Sequence, residues 1–115
     1  MEVMLHCVDY RSREVVLTEQ RWRDLVIVQH PELEGFESTV ELALTTPAFV
    51  NHDATHPNRE SHYCHSPLPA SYAGVYIKVV VEYVGSGAYS GYDGEVVTAN
   101  AVDRPKPRER RKWTR

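Results

Sequence analysis

The chain of 115 residues is long enough for one small domain with a modest core, and its 42% hydrophobic and 10% aromatic residues are typical of a folded protein. No apolar run approaches the length of a membrane span, and the start lacks the basic region of a signal peptide, so we expect a cytoplasmic protein without a membrane partner. The net charge of −3 hides an asymmetry, because seven of the thirteen Lys and Arg residues lie in residues 104–115 beside a single acid, Glu109.

Two helices are predicted in the N-terminal half. Thr18 is a suitable N-cap, and apolar residues recur at helical spacing over residues 19–30. Pro31 should end this helix, because the residue before a proline is pushed out of the helical region. A second helix is expected between Gly35 and Pro47.

The hydrophobic period then changes to that of strands. Residues 49–50 begin an extended segment, and strands are predicted over residues 59–65, 75–84 and 95–102, where β-branched and aromatic residues are frequent. The predicted fold is α+β, with two N-terminal helices packed on an antiparallel sheet of three to four strands.

The uneven charge predicts a single domain over residues 1–103 and a flexible basic tail over residues 104–115. Such a tail can meet a polyanion, fold back on the acidic body or remain a solvated terminus. We expect the tail to bind substrate through four residues: Arg108, Arg110, Arg111 and Lys112.

His30 is the first candidate for chemistry, because it falls at the C-terminal end of the first predicted helix. The helix dipole favours a protonated ring there, and a histidine that shares its proton near neutral pH can act as a general acid or base. A histidine at this place can equally satisfy the free carbonyl groups of the last helical turn.

Lys78 and Thr98 are polar residues within apolar strands. Because side chains alternate along a strand, Lys78 shares a face with Tyr76 and Val80. On a buried face the lysine would need an anionic partner or ligand, and on an open face it would be an ordinary solvated residue. Thr98 could donate a hydrogen bond to a phosphate oxygen, although threonine is also common in strands.

Arg59 and Tyr63 lie four residues apart and would share one face of a strand. A guanidinium binds phosphate through two hydrogen bonds, and a tyrosine can stack on a base. The alternative for Arg59 is a surface ion pair with Glu60 or Asp53.

A metal site is the other chemistry that this half of the chain suggests, because five potential ligands lie close together: His52, His56, His62, Cys64 and His65. Their spacing fits no regular zinc site, so we predict no metal and no cofactor, and His52 and His56 could instead contact substrate. Cys7 and Cys64 are expected to be free, buried thiols.

Residues 17 to about 102 resemble the phage-associated branch of the barnase/EndoU/colicin/RelE-like ribonuclease superfamily. The segments that carry the resemblance are residues 17–22, 30–32, 46–50, 57–60 with Tyr63, 78–81 and 97–99. The resemblance implies helices followed by a sheet, with the active centre on the concave face of the sheet beside the helices.

The resemblance also implies a metal-independent RNA endonuclease, toxin-like or phage-derived, with a neutralising antitoxin or immunity protein as a possible partner. By matching motif, His30 would transfer the proton, Arg59 and Lys78 would hold the phosphate, and Thr98 and more weakly Tyr63 would assist. The alternative is a non-catalytic module that binds nucleic acid or an acidic protein, and a zinc-stabilised domain is a third reading.

Overall fold

The described part of the protein consists of seven strands, a helical region between the second and third strands, and a single helical turn between the fourth and fifth. The computed structural model describes residues 2–83 and 91–115. The strands are β1 (Val3–Val8), β2 (Glu14–Thr18), β3 (Phe49–His52), β4 (Arg59–His65), β5 (Tyr76–Tyr83), β6 (Gly94–Val102) and β7 (Arg110–Thr114).

These strands form one mixed sheet in the spatial order β1-β2-β6-β5-β4-β3-β7. β2 and β6 are parallel, and the other neighbouring pairs are antiparallel. Of the strands predicted after residue 58, β4 has the predicted bounds. The bounds of β5 differ from the prediction by one residue at each end, and β6 begins one residue earlier than predicted.

The helical region begins where the sequence predicts. Thr18 caps the first helix by accepting a hydrogen bond of 3.2 Å from the Arg21 backbone N–H, and His30 leaves the helical conformation before Pro31. The helical segments are α1 (Glu19–Arg21), a π-helical turn (Trp22–Val26), α2 (Ile27–Gln29), a 3-10 turn (Pro31–Leu33), α3 (Glu37–Thr45) and a second 3-10 turn (Ala70–Tyr72).

The predicted fold class is wrong, because the sheet has seven strands and mixed pairing instead of three or four antiparallel strands. Two of the additional strands, β1 and β2, form an N-terminal hairpin that precedes the helices. β2 is a central strand, and Val15, Val16 and Leu17 are all buried. A strand that is buried on both faces has a continuous run of apolar residues. Without alternation of apolar and polar residues, so short a run cannot be recognised as a strand from the sequence.

The remaining strand, β7, comes from residues that were expected to form a flexible tail. It pairs with β3, so that Val50 lies opposite Trp113 and His52 opposite Arg110. A strand of charged residues is acceptable at the edge of a sheet, where one side of the backbone stays exposed. Residues 110–114 therefore belong to the folded sheet.

The hydrophobic core lies between the helices and one face of the sheet, which we call the helix-covered face. Trp22, Val26 and Leu33 pack there in one cluster with Ile77 and Val79 of β5. Because side chains alternate, Lys78 and its neighbours at even positions of β5 point to the opposite side, which we call the outer face.

A buried polar network closes one end of the helix-covered face. Arg13 donates to Asp9 at 2.9 Å and to both carboxylate oxygens of Glu60, at 2.8 and 3.0 Å. Tyr83 donates to Asp9 at 2.6 Å and lies 3.2 Å from Nε2 of His62, which is fully buried. Burial alone would raise the pKa of Glu60, but its hydrogen bonds from Arg13 hold it below the ordinary value. The network ties the β1–β2 hairpin to β4 and β5.

Candidate functional site

A cationic groove of about 350 Å³ lies on the outer face of the sheet. Its floor is formed by β5 and β6, and its sides by the loop between β3 and β4 and by residues 103–109, which we call the strap. Twelve residues line it: Asp53, Ala54, Thr55, His56, Arg59, Lys78, Val80, Thr98, Asn100, Val102, Arg104 and Lys106.

The groove brings together three of the five predicted catalytic residues: Arg59, Lys78 and Thr98. The sheet register explains why they meet. Lys78 lies opposite Asn100, and Val80 lies opposite Thr98, so β5 and β6 present these side chains to one face. Arg59 enters from β4, where it lies opposite Glu82.

Lys78 is buried and has an anionic partner. Its Nζ donates a hydrogen bond of 2.7 Å to Glu109, whose side chain is 1% exposed. Glu109 also accepts from the Tyr63 hydroxyl and from Asn51, at 2.5 and 3.2 Å. Burial alone would raise the pKa of Glu109, but these donors keep it below the ordinary value. Of the two environments considered for Lys78, the structure shows the buried one.

Tyr63 lies on the outer face but is not among the residues that line the groove. It is fully buried, and its ring stacks on Phe49 with a centroid distance of 4.6 Å. Burial and the hydrogen bond to Glu109 raise the pKa of its hydroxyl. In this position Tyr63 supports the carboxylate that holds Lys78.

Arg59 forms an ion pair with Glu82 at 3.0 Å, whereas the sequence suggested Glu60 or Asp53 as its surface partner. The two side chains are 27% and 37% exposed, so the pair is only partly shielded from water. An exposed pair of this kind contributes little to stability and can exchange its carboxylate for another anion. Arg59 is therefore available to a phosphate at the edge of the groove.

The loop between β3 and β4 carries a hydrogen-bonded pair, Asp53 and His56. One carboxylate oxygen of Asp53 accepts from the backbone N–H groups of Thr55 and His56, at 3.0 and 2.8 Å. The same oxygen lies 3.2 Å from Nδ1 of His56. Partial burial by itself would raise the pKa of Asp53, but these hydrogen bonds lower it to about 2. Asp53 is thus an ionised partner for the His56 ring.

His30 is not in the groove. It ends α2, which belongs to the helical run on the helix-covered face, and its Nδ1 lies 3.8 Å from Glu32. Lys78 and Thr98 point to the outer face, so the sheet lies between them and the helices. The expected centre around His30 therefore does not form, because the helices and the cationic residues occupy opposite faces.

The four predicted substrate-binding residues of the C-terminal segment lie outside the groove. Arg108 is an exposed residue of the strap, and Arg110 is exposed on β7. Arg111 donates to Asn51 at 2.8 Å and lies over the Phe49 ring, whereas Lys112 is 3.4 Å from Glu60.

Two cations that were not singled out from the sequence, Arg104 and Lys106, do line the groove. Both are exposed, and neither forms an ion pair with the residues that the structure describes. The signal that could have indicated them is the pair of prolines, Pro105 and Pro107, because prolines favour turns and the chain bends at residues 103–104 and turns at residues 107–108.

The histidine-rich segment is divided between different environments. His62 is buried and bonded to the Val79 carbonyl, Cys64 is in the core, and His65 is exposed. Within residues 2–83 and 91–115, no group of three or more His, Cys, Asp or Glu residues is arranged to hold a metal ion. Cys7 and Cys64 are both free and buried, as predicted.

A second cavity, of about 390 Å³, lies beside the start of the helical run. It is lined by three acids, Glu2, Asp24 and Glu95, and by one base, Arg21. It contains none of the predicted site residues. Among the described residues, no helix combines the length and apolar character needed to cross a membrane.

Comparison with protein-family models, curated proteins and solved structures finds no match to this chain. The resemblance to the ribonuclease superfamily therefore stays a prediction, and the groove itself is the feature that bears on function.

Proposed function

We propose that the protein binds single-stranded RNA through the cationic groove. The observation that carries this proposal is the position of Arg104 and Lys106, two exposed cations that line the same recess as Lys78 and Thr98. Phosphate contacts from Lys and Arg supply most of the affinity of proteins for nucleic acids. The groove offers such contacts above a polar floor.

The size and floor of the groove favour a single strand. A volume of about 350 Å³ is in the range of small-molecule sites and suits a nucleotide better than a duplex. Thr98 and Asn100 supply hydroxyl and amide groups on the floor. Such groups can bond to a ribose 2′-hydroxyl, which is the feature that distinguishes RNA from DNA.

Further cations extend the surface beyond the groove. Arg108 and Arg110 are exposed on the strap and on β7. They continue the cationic surface along the chain toward the sheet edge, where additional phosphates of a longer strand would bind. The uneven charge of the sequence supports this arrangement, because the rest of the chain is acidic and would repel RNA.

A cytoplasmic location and a neutralising protein partner belong to the same proposal. An acidic protein that covers the groove would compete with RNA for Arg104 and Lys106. Competition between that protein and labelled RNA would distinguish it from a partner that binds elsewhere.

The proposal is tested by fluorescence anisotropy with a short, labelled single-stranded RNA at several salt concentrations. The double variant Arg104→Ala/Lys106→Ala should bind roughly tenfold more weakly. The logarithm of the affinity decreases linearly with the logarithm of the salt concentration, and this dependence should become less steep by about 0.7 for each lost phosphate contact.

The matched control is Arg11→Ala/Arg23→Ala, which removes the same charge from exposed positions outside the groove. Equal loss in both variants would show that only net charge matters, and would overturn the groove as the binding site. If DNA of the same sequence or an acidic peptide bound more tightly than the RNA, that molecule and not RNA would be the ligand of the groove.

A further inference from the structure

Arg104 and Lys106 supply the positive charge of the groove that has no acidic partner. The two other cations that line the groove, Lys78 and Arg59, are each paired with an acid, at 2.7 and 3.0 Å. Arg104 and Lys106 are exposed and form no ion pair with the described residues. Two positive charges on one side of the groove are therefore available to a ligand.

The strap that carries these two cations is held in place by Glu109. The buried carboxylate of Glu109 accepts from Nζ of Lys78 at 2.7 Å and from the backbone N–H of Lys106 at 3.3 Å. The backbone N–H of Glu109 donates to the Lys106 carbonyl at 3.1 Å, which closes a turn. Because the backbone of Lys106 is already fixed, less freedom is lost when its side chain binds an anion.

Asp53 is the only acid among the residues that line the groove. One of its carboxylate oxygens accepts from the backbone N–H groups of Thr55 and His56, at 3.0 and 2.8 Å, and lies 3.2 Å from Nδ1 of His56. The Asp53 side chain is only 18% exposed. Its own loop thus satisfies this carboxylate, and the lining of the groove remains positive overall.

The floor of the groove is suited to one nucleoside. Val80 and Val102 provide apolar surface for a base or a ribose, and Thr98 and Asn100 provide hydroxyl and amide groups beside it. Val80 lies directly opposite Thr98, so the apolar and polar groups are neighbours across β5 and β6. A volume of about 350 Å³ accommodates a single nucleotide and not a run of several.

The phosphate at the end of an RNA strand differs in charge from the phosphates within it. A terminal phosphomonoester carries a charge of about −1.5 to −2 at pH 7 and three acceptor oxygens. A phosphodiester within the strand carries a single negative charge. Two cations without acidic partners, beside a floor for one nucleoside, match the charge and size of a terminal nucleotide better than those of an internal one.

We infer that the groove recognises the phosphorylated end of an RNA strand, with Arg104 and Lys106 bound to the terminal phosphomonoester and the last nucleoside on the floor. This role rests on the proposed binding of RNA and names the part of the strand that the groove takes. The rest of the strand leaves the groove past the exposed side chains of Arg108 and Arg110.

The test compares four internally labelled single-stranded RNAs by fluorescence anisotropy. Three have one sequence and carry a 5′-phosphate, a 3′-phosphate or hydroxyl groups at both ends. The fourth has hydroxyl ends and one additional nucleotide at each end, so that a phosphodiester replaces each terminal phosphate. A phosphorylated RNA should bind roughly tenfold more tightly than both RNAs with hydroxyl ends. The phosphorylated RNA that binds more tightly identifies the end that occupies the groove.

Two double variants locate the terminal phosphate. Arg104→Ala/Lys106→Ala should abolish the preference, so that all four RNAs bind weakly and with similar affinity. Arg108→Ala/Arg110→Ala is the matched control, because it removes the same charge from exposed residues that do not line the groove. The control should weaken the binding of all four RNAs and keep the preference. Circular dichroism of both variants shows whether they are folded.

Three outcomes would overturn the inference. They are equal binding of the phosphorylated and hydroxyl-ended RNAs to the unaltered protein, binding of the longer RNA as tight as that of the phosphorylated RNAs, and a preference that persists in Arg104→Ala/Lys106→Ala. Each of these leaves RNA binding intact, whereas failure to bind any of the four RNAs would remove the proposed function itself.

Discussion

Lys78 and Glu109 join the middle of the sheet to the strap through a buried ion pair of 2.7 Å. Their side chains are 8% and 1% exposed, so neither charge has solvent to replace its partner. The pair holds the strap against the outer face immediately before β7 begins. It therefore fixes both one side of the groove and the course of the chain into the last strand.

Glu109→Ala should lower the free energy of unfolding by about 3 kcal/mol, because removal of one partner leaves a buried, uncompensated lysine. Glu109→Gln should lower the free energy of unfolding by a smaller amount, since the amide oxygen can still accept a hydrogen bond from Tyr63 or Asn51. Urea denaturation measures both values. A loss of less than about 1 kcal/mol in the alanine variant, typical of an exposed pair, would contradict burial of the pair.

The backbone amides of β7 that pair with β3 should exchange slowly with solvent hydrogen, because a strand in a sheet ladder is protected from exchange. Hydrogen exchange followed by NMR on the full chain measures this protection. The exposed residue Arg104 of the strap provides the internal comparison. Rapid exchange throughout residues 110–114 would show that this segment is the flexible tail that the sequence predicts.

Arg13→Ala should destabilise the protein far more than Arg23→Ala, although each arginine has an acid four residues earlier in the chain. Arg13 bonds both Asp9 and Glu60 and is 25% exposed, whereas Arg23 pairs with Glu19 and is 65% exposed. We expect a loss of roughly 3 kcal/mol for the first variant and less than about 0.5 kcal/mol for the second.

Arg13→Lys extends this comparison, because a lysine cannot reproduce the two hydrogen bonds to Glu60. Its stability should lie between that of Arg13→Ala and that of the unaltered protein. Equal stability of the lysine variant and the unaltered protein would mean that charge alone matters at this position.

Stability should fall between pH 6.5 and pH 4 through His62. Burial, with a smaller contribution from Arg13, lowers the pKa of His62 to about 4, although Glu60 at 3.7 Å and the nearby Asp9 act in the opposite direction. In this window the unfolded chain binds a proton at His62 and the folded protein does not, so the free energy of unfolding decreases as pH falls. The contribution is roughly 3 kcal/mol over the whole window.

Denaturation curves at several pH values measure this effect in the unaltered protein and in His62→Gln. Replacement of a buried histidine lowers stability at every pH. The two proteins are therefore compared by how steeply the free energy of unfolding changes with pH, and not by its absolute value. A flatter dependence between pH 6.5 and pH 4 in His62→Gln is the expected result. Identical slopes would show that His62 is not the source of acid sensitivity in this window. The carboxylates Asp53, Glu60 and Glu109, whose pKa values are lowered, lose their stabilisation only at lower pH.

Much of the local structure follows from short stretches of sequence. The cap at Thr18 and the break at Pro31 locate the first helical run, and β4 through β6 follow from their β-branched and aromatic content. β2 escaped prediction because it is short and four of its five residues are buried, so that both of its faces are covered. β7 escaped because its composition resembles that of a solvated tail.

The candidate site, like the fold, was predicted only in part. The sequence singled out Arg59, Lys78 and Thr98, which do share a groove, and it identified Lys78 as a lysine that would need a partner if buried. It did not indicate that Glu109 is that partner, 31 residues away. Nor did it indicate that His56 is on the side of the groove and His30 is not.

The sequence alone therefore determined where most helices and strands begin and end and which side chains alternate along each strand. The tertiary structure decided which strands are neighbours and which face of the sheet the helices cover. The physical reason is that capping and hydrophobic periodicity act over a few residues, whereas strand pairing and burial of a face depend on contacts between segments far apart in the chain.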